Sequence, residues 1–142
     1  MKHLFGEIIN CKMVLNDAGK IVNNCWNEIT NHFKDIELDY YQLMPNHLHG
    51  IIIINPSAAV NTNFAFTADR TKMILSKVIQ QFKRKVTIEV NSLYKTSQPV
   101  WQKSFYDHII RNEKELFNIR KYIVQNPLKW DINKNTSENL FV

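Results

Sequence analysis

His47, Leu48 and His49 run directly into Gly50 and the isoleucine run Ile51, Ile52, Ile53 and Ile54. This β-branched run constrains the fold more than any other stretch, because it reads as a buried strand at the centre of a sheet. Side chains on a strand alternate faces, so His47 and His49 leave one face and Leu48 the other. Two imidazoles held side by side at the entry to a rigid strand form half of a metal site. A structural role for the pair stays open on this stretch alone.

A second informative stretch lies near the C-terminus. Residues 111–125, RNEKELFNIRKYIVQ, read as a helix with Asn112 as N-cap and Glu113 and Glu115 in its first turn. Leu116, Ile119, Tyr122 and Ile123 recur at helical spacing. Pro127, immediately after Asn126, is expected to end the helix. Tyr122 and Asn126 would then share one face, a turn apart. A phenol can serve as nucleophile and an amide oxygen can ligate a hard cation. Alternatively, Tyr122 is a core residue and Asn126 a C-terminal cap.

Between these stretches the elements alternate. Residues 7–14 predict a strand and residues 16–33 an amphipathic helix with Ile21, Val22, Trp26 and Ile29 inward, despite Gly19 near its start. Residues 36–44 and 47–55 predict two strands joined tightly at Pro45 and Asn46. Residues 56–69 read as a loop. Residues 70–94 read as a basic helix with Met73, Ile74, Val78, Ile79 and Phe82 as its apolar stripe. The β-branched stretch Val86, Thr87, Ile88, Glu89 and Val90 is expected to fray or break it. A loop at 95–99 and a strand within 100–110 precede the terminal helix. The order βαββαβα suits an α+β, ferredoxin-like split-βαβ palm, an antiparallel sheet with helices on one face.

With 142 residues the chain suits one domain, a core over about 5–130 and a polar tail over 131–142. A net charge of +5 favours a polyanionic partner, though a ribosome or membrane surface would also fit. Cys11 and Cys25 imply neither a disulfide framework nor a metal cluster, so a cytoplasmic setting is expected. The opening MKHLFGEIIN lacks a signal-peptide apolar stretch, and no run reaches membrane-spanning length.

The segments LMPNHLHGIIII, VWQKSFYDHIIRNEKELFNIRKYIVQNP and FGEIINCKMVLNDAGKIV resemble the REP-associated tyrosine transposases, relatives of the single-tyrosine HUH transposases of small bacterial insertion sequences. The resemblance runs from about Phe5 to Trp130 and is most specific in MPNHLH combined with the downstream WQ, FYDH and YIVQNP elements. It implies that His47 and His49 are a metal pair, that Asn126 completes metal binding and that Tyr122 is the nucleophile. It also implies single-stranded or hairpin DNA as substrate, handled by a monomer or homodimer. Two nitrogens and one amide oxygen would leave room for phosphate oxygens or water, as Mg²⁺ or Mn²⁺ needs, while Zn²⁺ could occupy the same ligands; the sequence does not choose the ion. Attack by Tyr122 on a phosphodiester would leave a 5′-phosphotyrosine linkage and a free 3′-hydroxyl, storing the bond energy for rejoining. Members of that family carry a further central strand upstream of the FGEI-like segment. Its place here would be vacant, so a truncated copy, a misplaced start or an inward shift of residues 7–14 is expected.

Rival residues are present. Tyr106, in FYDH beside His108, is the strongest competing nucleophile, whereas Tyr40 and Tyr41 lie in a strand and Tyr94 near a helix end. His108 reads as structural. Trp101 suits either base stacking or burial. Lys72, Lys77, Lys83, Arg84 and Lys85 suit either phosphate contacts or a solvated helix face. Three function classes follow: a metal-dependent DNA nicking and strand-transfer enzyme, a decayed or domesticated hairpin-binding module, and a generic ferredoxin-like RNA- or metal-binding domain.

Overall fold

A computed structural model describes residues 4–55, 68–101 and 107–134. The element order is β1 (Gly6–Ile9), β2 (Lys12–Leu15), α1 (Asp17–Asn27), α2 (Ile29–His32), β3 (Ile36–Leu43), β4 (Leu48–Ile54), α3 (Ala68–Tyr94) and α4 (Glu113–Lys134). The class is α+β, with antiparallel strands compatible with a split-βαβ arrangement. Among the described residues the strands form two two-stranded sheets, β1 with β2 and β3 with β4. No described helix is long and apolar enough to cross a membrane.

The stretch expected as one strand at 7–14 is a hairpin. Asn10 and Cys11 take φ values of 51° and 63°. Two successive left-handed residues make the tight turn whose twist matches a hairpin. Asn10 tolerates this conformation well; Cys11 occupies a place where glycine is usual. Ile8 then faces Met13 across the ladder and Ile9 faces Lys12. The hairpin does not fill a slot beside β4, so the expected inward shift of residues 7–14 is not what the chain does. Among the described residues β4 pairs with β3 alone, and Ile53 is exposed while Ile51 is buried. The strand expected to be buried throughout is therefore only partly so.

The described residues group into two compact units. Among the described residues the first takes 4–20, 40–50 and 107–134; the second takes 21–39, 51–55 and 68–101. In the first, the β1–β2 hairpin packs against α4. Phe5, Ile8, Ala18, Leu43, Met44 and Ile123 are buried. Asn16 starts α1. Its Oδ1 accepts the Gly19 N–H at 2.8 Å, and its Nδ2 donates to the Leu4 carbonyl at 2.9 Å. Such a cap contributes about 1 kcal/mol. Gly19 is needed because a Cβ there would lie 2.1 Å from the Phe5 carbonyl oxygen.

In the second unit, α3 runs unbroken through the β-branched stretch expected to break it. Val78, Phe82, Val86 and Val90 recur every fourth residue and are all buried, so burial of one stripe outweighs a propensity deficit of a few tenths of a kcal/mol per residue. Thr87 Oγ1 returns a hydrogen bond to the Lys83 carbonyl at 2.8 Å. Met73, expected in the stripe, is exposed. Lys95 at φ 55° ends the helix, with the Thr96 N–H donating to the Asn91 carbonyl at 3.0 Å; this is the closing bond of a left-handed C-cap. Trp26 meets Phe82 edge-on at 5.4 Å, and Lys85 pairs with Glu28. The Cys25 thiol, pushed up to about 12 by burial and by Glu89, donates to that carboxylate at 3.0 Å.

The strand expected within 100–110 is absent from Val100, Trp101 and residues 107–110; the rest of it, and the loop expected at 56–69 up to residue 67, lie outside the described residues. The terminal helix starts as expected, with the Glu115 N–H donating to Asn112 Oδ1 at 2.8 Å. It does not stop at Pro127 but continues to Lys134.

Gly19→Ala reverses the usual sign of a helical glycine replacement. Elsewhere in a helix the change stabilises by up to ~1 kcal/mol; here overpacking against a backbone carbonyl costs about 1–3 kcal/mol. The expected result is an unfolding midpoint several degrees below that of the wild type in a thermal scan, and an unchanged or raised midpoint would contradict the packing described.

Candidate metal and tyrosine site

The first unit builds the site at the turn between β3 and β4. Met44 donates its N–H to the His47 carbonyl at 2.7 Å, closing the expected connection over Pro45 and Asn46. Pro45 is fully buried, and its carbonyl accepts the Phe5 N–H at 2.9 Å. The backbone under His47 is thereby held from both sides.

The imidazoles of His47 and His49 converge. Their Nε2 atoms are 3.0 Å apart, and the rings meet nearly at right angles, 4.6 Å between centroids. His47 Nδ1 lies 2.6 Å from Asn46 Oδ1. With that amide oxygen accepting, the ring proton sits on Nδ1 and leaves the Nε2 lone pair directed at the site. Burial, and then the neighbouring His49, push His47 down to about 4; burial alone lowers His49. Both rings are therefore neutral near pH 7, the form that ligates metal.

Helix α4 supplies the other wall. Tyr122, Asn126 and Trp130 recur every fourth residue and so form one stripe. The Tyr122 ring lies 5.5 Å from His49, edge to face, and the Trp130 ring lies 6.2 Å from His47. Asn126 falls between them on the helix and is 8% exposed, whereas Tyr122 is 41% exposed. Asn126 is not a C-terminal cap, because the helix continues past it. Its Nδ2 is buried with no hydrogen-bond partner among the described residues. Rotation of the terminal amide would place an acceptor oxygen at that orphaned position.

These residues fit a divalent cation. Two ligands at ~2.1 Å from one ion and at right angles lie ~3.0 Å apart, which is the spacing of the two Nε2 atoms. Among the described residues no trio of His, Cys, Asp or Glu is grouped to hold a metal; Asn126, buried with an unpartnered terminal amide on the Tyr122 stripe, is the third ligand expected from the sequence.

Other candidates lie elsewhere. Tyr106 is outside the described residues. His108 is half-exposed and pairs with Glu115. Tyr40 is exposed beneath the Arg120 guanidinium, 5.2 Å from its ring centroid. In the second unit, Trp101 is half-buried, 5.6 Å from Phe82, with Lys83 Nζ 5.8 Å from its ring centroid. Three residues at the site were not singled out from the sequence. Asn46 stands inside MPNHLH, next to the ring it orients. Trp130, and Lys129 with its Nζ 5.1 Å from the Tyr122 ring centroid, join only because α4 survives Pro127.

Comparisons with known proteins place this geometry in context. An uncharacterized protein of Haemophilus influenzae is 37% identical over 137 residues, covering 90% of this chain and 74% of that protein. A second Haemophilus influenzae protein, named "Putative REP-associated tyrosine transposase", is 28% identical over 92 residues, covering 61% of this chain. The matched stretch spans 47% of that second relative, about half its length. No family model matches the chain, and no solved structure matches it.

The neutral imidazoles carry a pH signature. An unfolded histidine titrates at about 6.5, whereas folded His47 titrates at about 4. Between those values the unfolded chain binds more protons, so stability rises with pH and is lost on acidification from about pH 6.5 to 4. In chelator, urea midpoints across this window should fall more steeply for wild type than for the His47→Asn, His49→Asn double variant. Parallel slopes would show that the rings are not held neutral by the fold.

Proposed function

The chain belongs to the family of the 37%-identical Haemophilus influenzae protein, and we propose that it acts as a metal-dependent, single-tyrosine DNA nicking and strand-transfer enzyme. The similarity to a protein named as a transposase supports a role in transposition. The observation that carries the finer reading is the juxtaposition of a neutral imidazole pair, Nε2 atoms 3.0 Å apart, with an exposed phenol whose ring lies 5.5 Å from one of them.

His47, His49 and Asn126 would hold the cation. When bound, a divalent ion supplies charge that polarises the scissile phosphate and stabilises the transition state. The chain's own residues do the rest. Asn46 fixes the His47 tautomer. The rigid hairpin keeps both imidazoles on one side of β4. Tyr122 stands on a helix, so its phenol is presented at a set height beside the pair. Its oxygen forms a bond to phosphorus as the bond to the 3′ oxygen breaks; the phenolic proton leaves, and the departing 3′ oxygen takes one up. The product is a 5′-phosphotyrosine with a free 3′-hydroxyl. Phenoxide leaves more readily than alkoxide, so another 3′-hydroxyl can reverse the step on a new strand. The substrate in this reading is single-stranded or hairpin DNA, in keeping with the net charge of +5.

Incubation with Mn²⁺ or Mg²⁺ and a labelled single strand carrying a hairpin should give a denaturation-resistant protein–DNA band. Tyr122→Phe, which removes only the phenolic oxygen, should abolish it; Tyr106→Phe should not. The His47→Ala and His49→Ala variants should lose the band yet retain most DNA affinity, and excess metal should partly restore Asn126→Ala. A band that survives Tyr122→Phe would overturn the nucleophile, and hairpin binding with no band in any version would favour a DNA-binding module instead.

A further inference from the structure

Helix α4 continues beyond the nucleophile for another twelve residues, to Lys134. Two of them return toward the site. Lys129, two turns after Tyr122, holds its ammonium 5.1 Å from the phenol ring centroid. Trp130, one turn after Asn126, lies half-buried beside His47. The neighbouring acid turns away. Asp131 Oδ2 accepts the Cys11 N–H at 3.0 Å and the Cys11 thiol at 3.4 Å, so its charge faces the β1–β2 turn. A cation and an aromatic ring are adjacent on the helix, flanking the phenol and the imidazoles.

A nucleic-acid single strand alternates an anionic phosphate with a flat base. An ammonium next to an indole matches one such repeat, the cation taking phosphate oxygens and the indole stacking the base. We propose that the segment of α4 beyond Pro127 is a strand-binding rail, in which Lys129 holds a backbone phosphate and Trp130 stacks an unpaired base next to the scissile position. This rests on the nicking reading for its location, because it places the strand across Tyr122. It adds a substrate contact that the metal and tyrosine do not supply. The rail exists only because Pro127 fails to end the helix. It also explains why the last turns of α4 are fastened to the hairpin tip at Asp131: a platform that frays cannot orient a base.

The test separates binding from cutting. Full-length Tyr122→Phe protein in chelator, which cannot form an adduct, is titrated with a short oligothymidine while tryptophan emission is followed. Quenching and saturable binding are expected. Trp130→Ala on that background should weaken binding about tenfold and remove most of the quench, leaving the signal of Trp26 and Trp101. Trp130→Phe keeps a ring and should bind within a few-fold of the parent. Lys129→Gln should flatten the plot of log affinity against log salt by ~0.7, the loss of one phosphate contact on a single strand; Lys129→Arg should restore the slope. Thermal midpoints identify any variant that has unfolded, and Trp130→Phe and Lys129→Arg keep the comparison valid in that case. Undiminished binding by Trp130→Ala with an unchanged salt slope in Lys129→Gln would overturn the rail, as would failure of the parent to bind. Absence of a covalent band in wild type, with rail-dependent binding intact, would instead count against Tyr122 as nucleophile and leave the rail standing.

Discussion

Pro127 removes one N–H from the interior of α4, the partner of the Ile123 carbonyl, at a cost of roughly 3 kcal/mol; the helix nonetheless continues to Lys134. Contacts distant in sequence sustain it. Asp131 ties to Cys11 at the tip of the first hairpin through two hydrogen bonds, Ile123 is buried, and Trp130 lies against His47. Much of the site follows from this continuity. With the helix ended at Pro127, Asn126 would be a frayed terminus, and neither Lys129 nor Trp130 would have a fixed direction. Continued, it places Tyr122, Asn126 and Trp130 on one stripe, with Asn126 buried between two aromatic rings that each meet one histidine.

The second constraint is the short connection between β3 and β4. A two-residue turn leaves little freedom, and the buried Pro45 uses its carbonyl to fasten Phe5. The consequence is chemical. Two imidazoles two residues apart on a strand must lie side by side, and once water is excluded neither can take up a proton cheaply. Burial thus keeps both neutral, with the neighbouring His49 adding to the effect at His47, and Asn46, with its amide oxygen accepting, selects the His47 tautomer whose Nε2 lone pair faces the partner ring.

Several features of this arrangement were legible in the residues. The alternation at His47 and His49, the turn at Pro45 and Asn46, the cap at Asn112 and the α+β class all arise from interactions within a few positions of one another. Others were not. Asn10 and Cys11 lack the glycine that announces a hairpin turn, so residues 7–14 read as one strand. Val86 to Val90 have poor helix propensity, yet two of those residues are fully or almost fully buried in the stripe that holds α3 together. On α4, apolar side chains ring the helix: Phe117, Val124, Leu128 and Ile132 are exposed while Ile123 is buried. Periodicity there gives no clear face, and only the neighbours choose one.

The chain by itself therefore determined which chemistry was available: two imidazoles on one side of a strand, a phenol and an amide one helical turn apart, and a basic surface charge. Tertiary structure decided whether these groups meet. A proline reads as a helix stop because its cost is local, whereas the contacts made by the turns beyond it include one that joins Cys11 to Asp131, 120 positions apart. Contacts at such separations leave no local pattern in the sequence, and here they make a buried metal-ligand candidate of Asn126 and bring Lys129 and Trp130 alongside Tyr122 and His47.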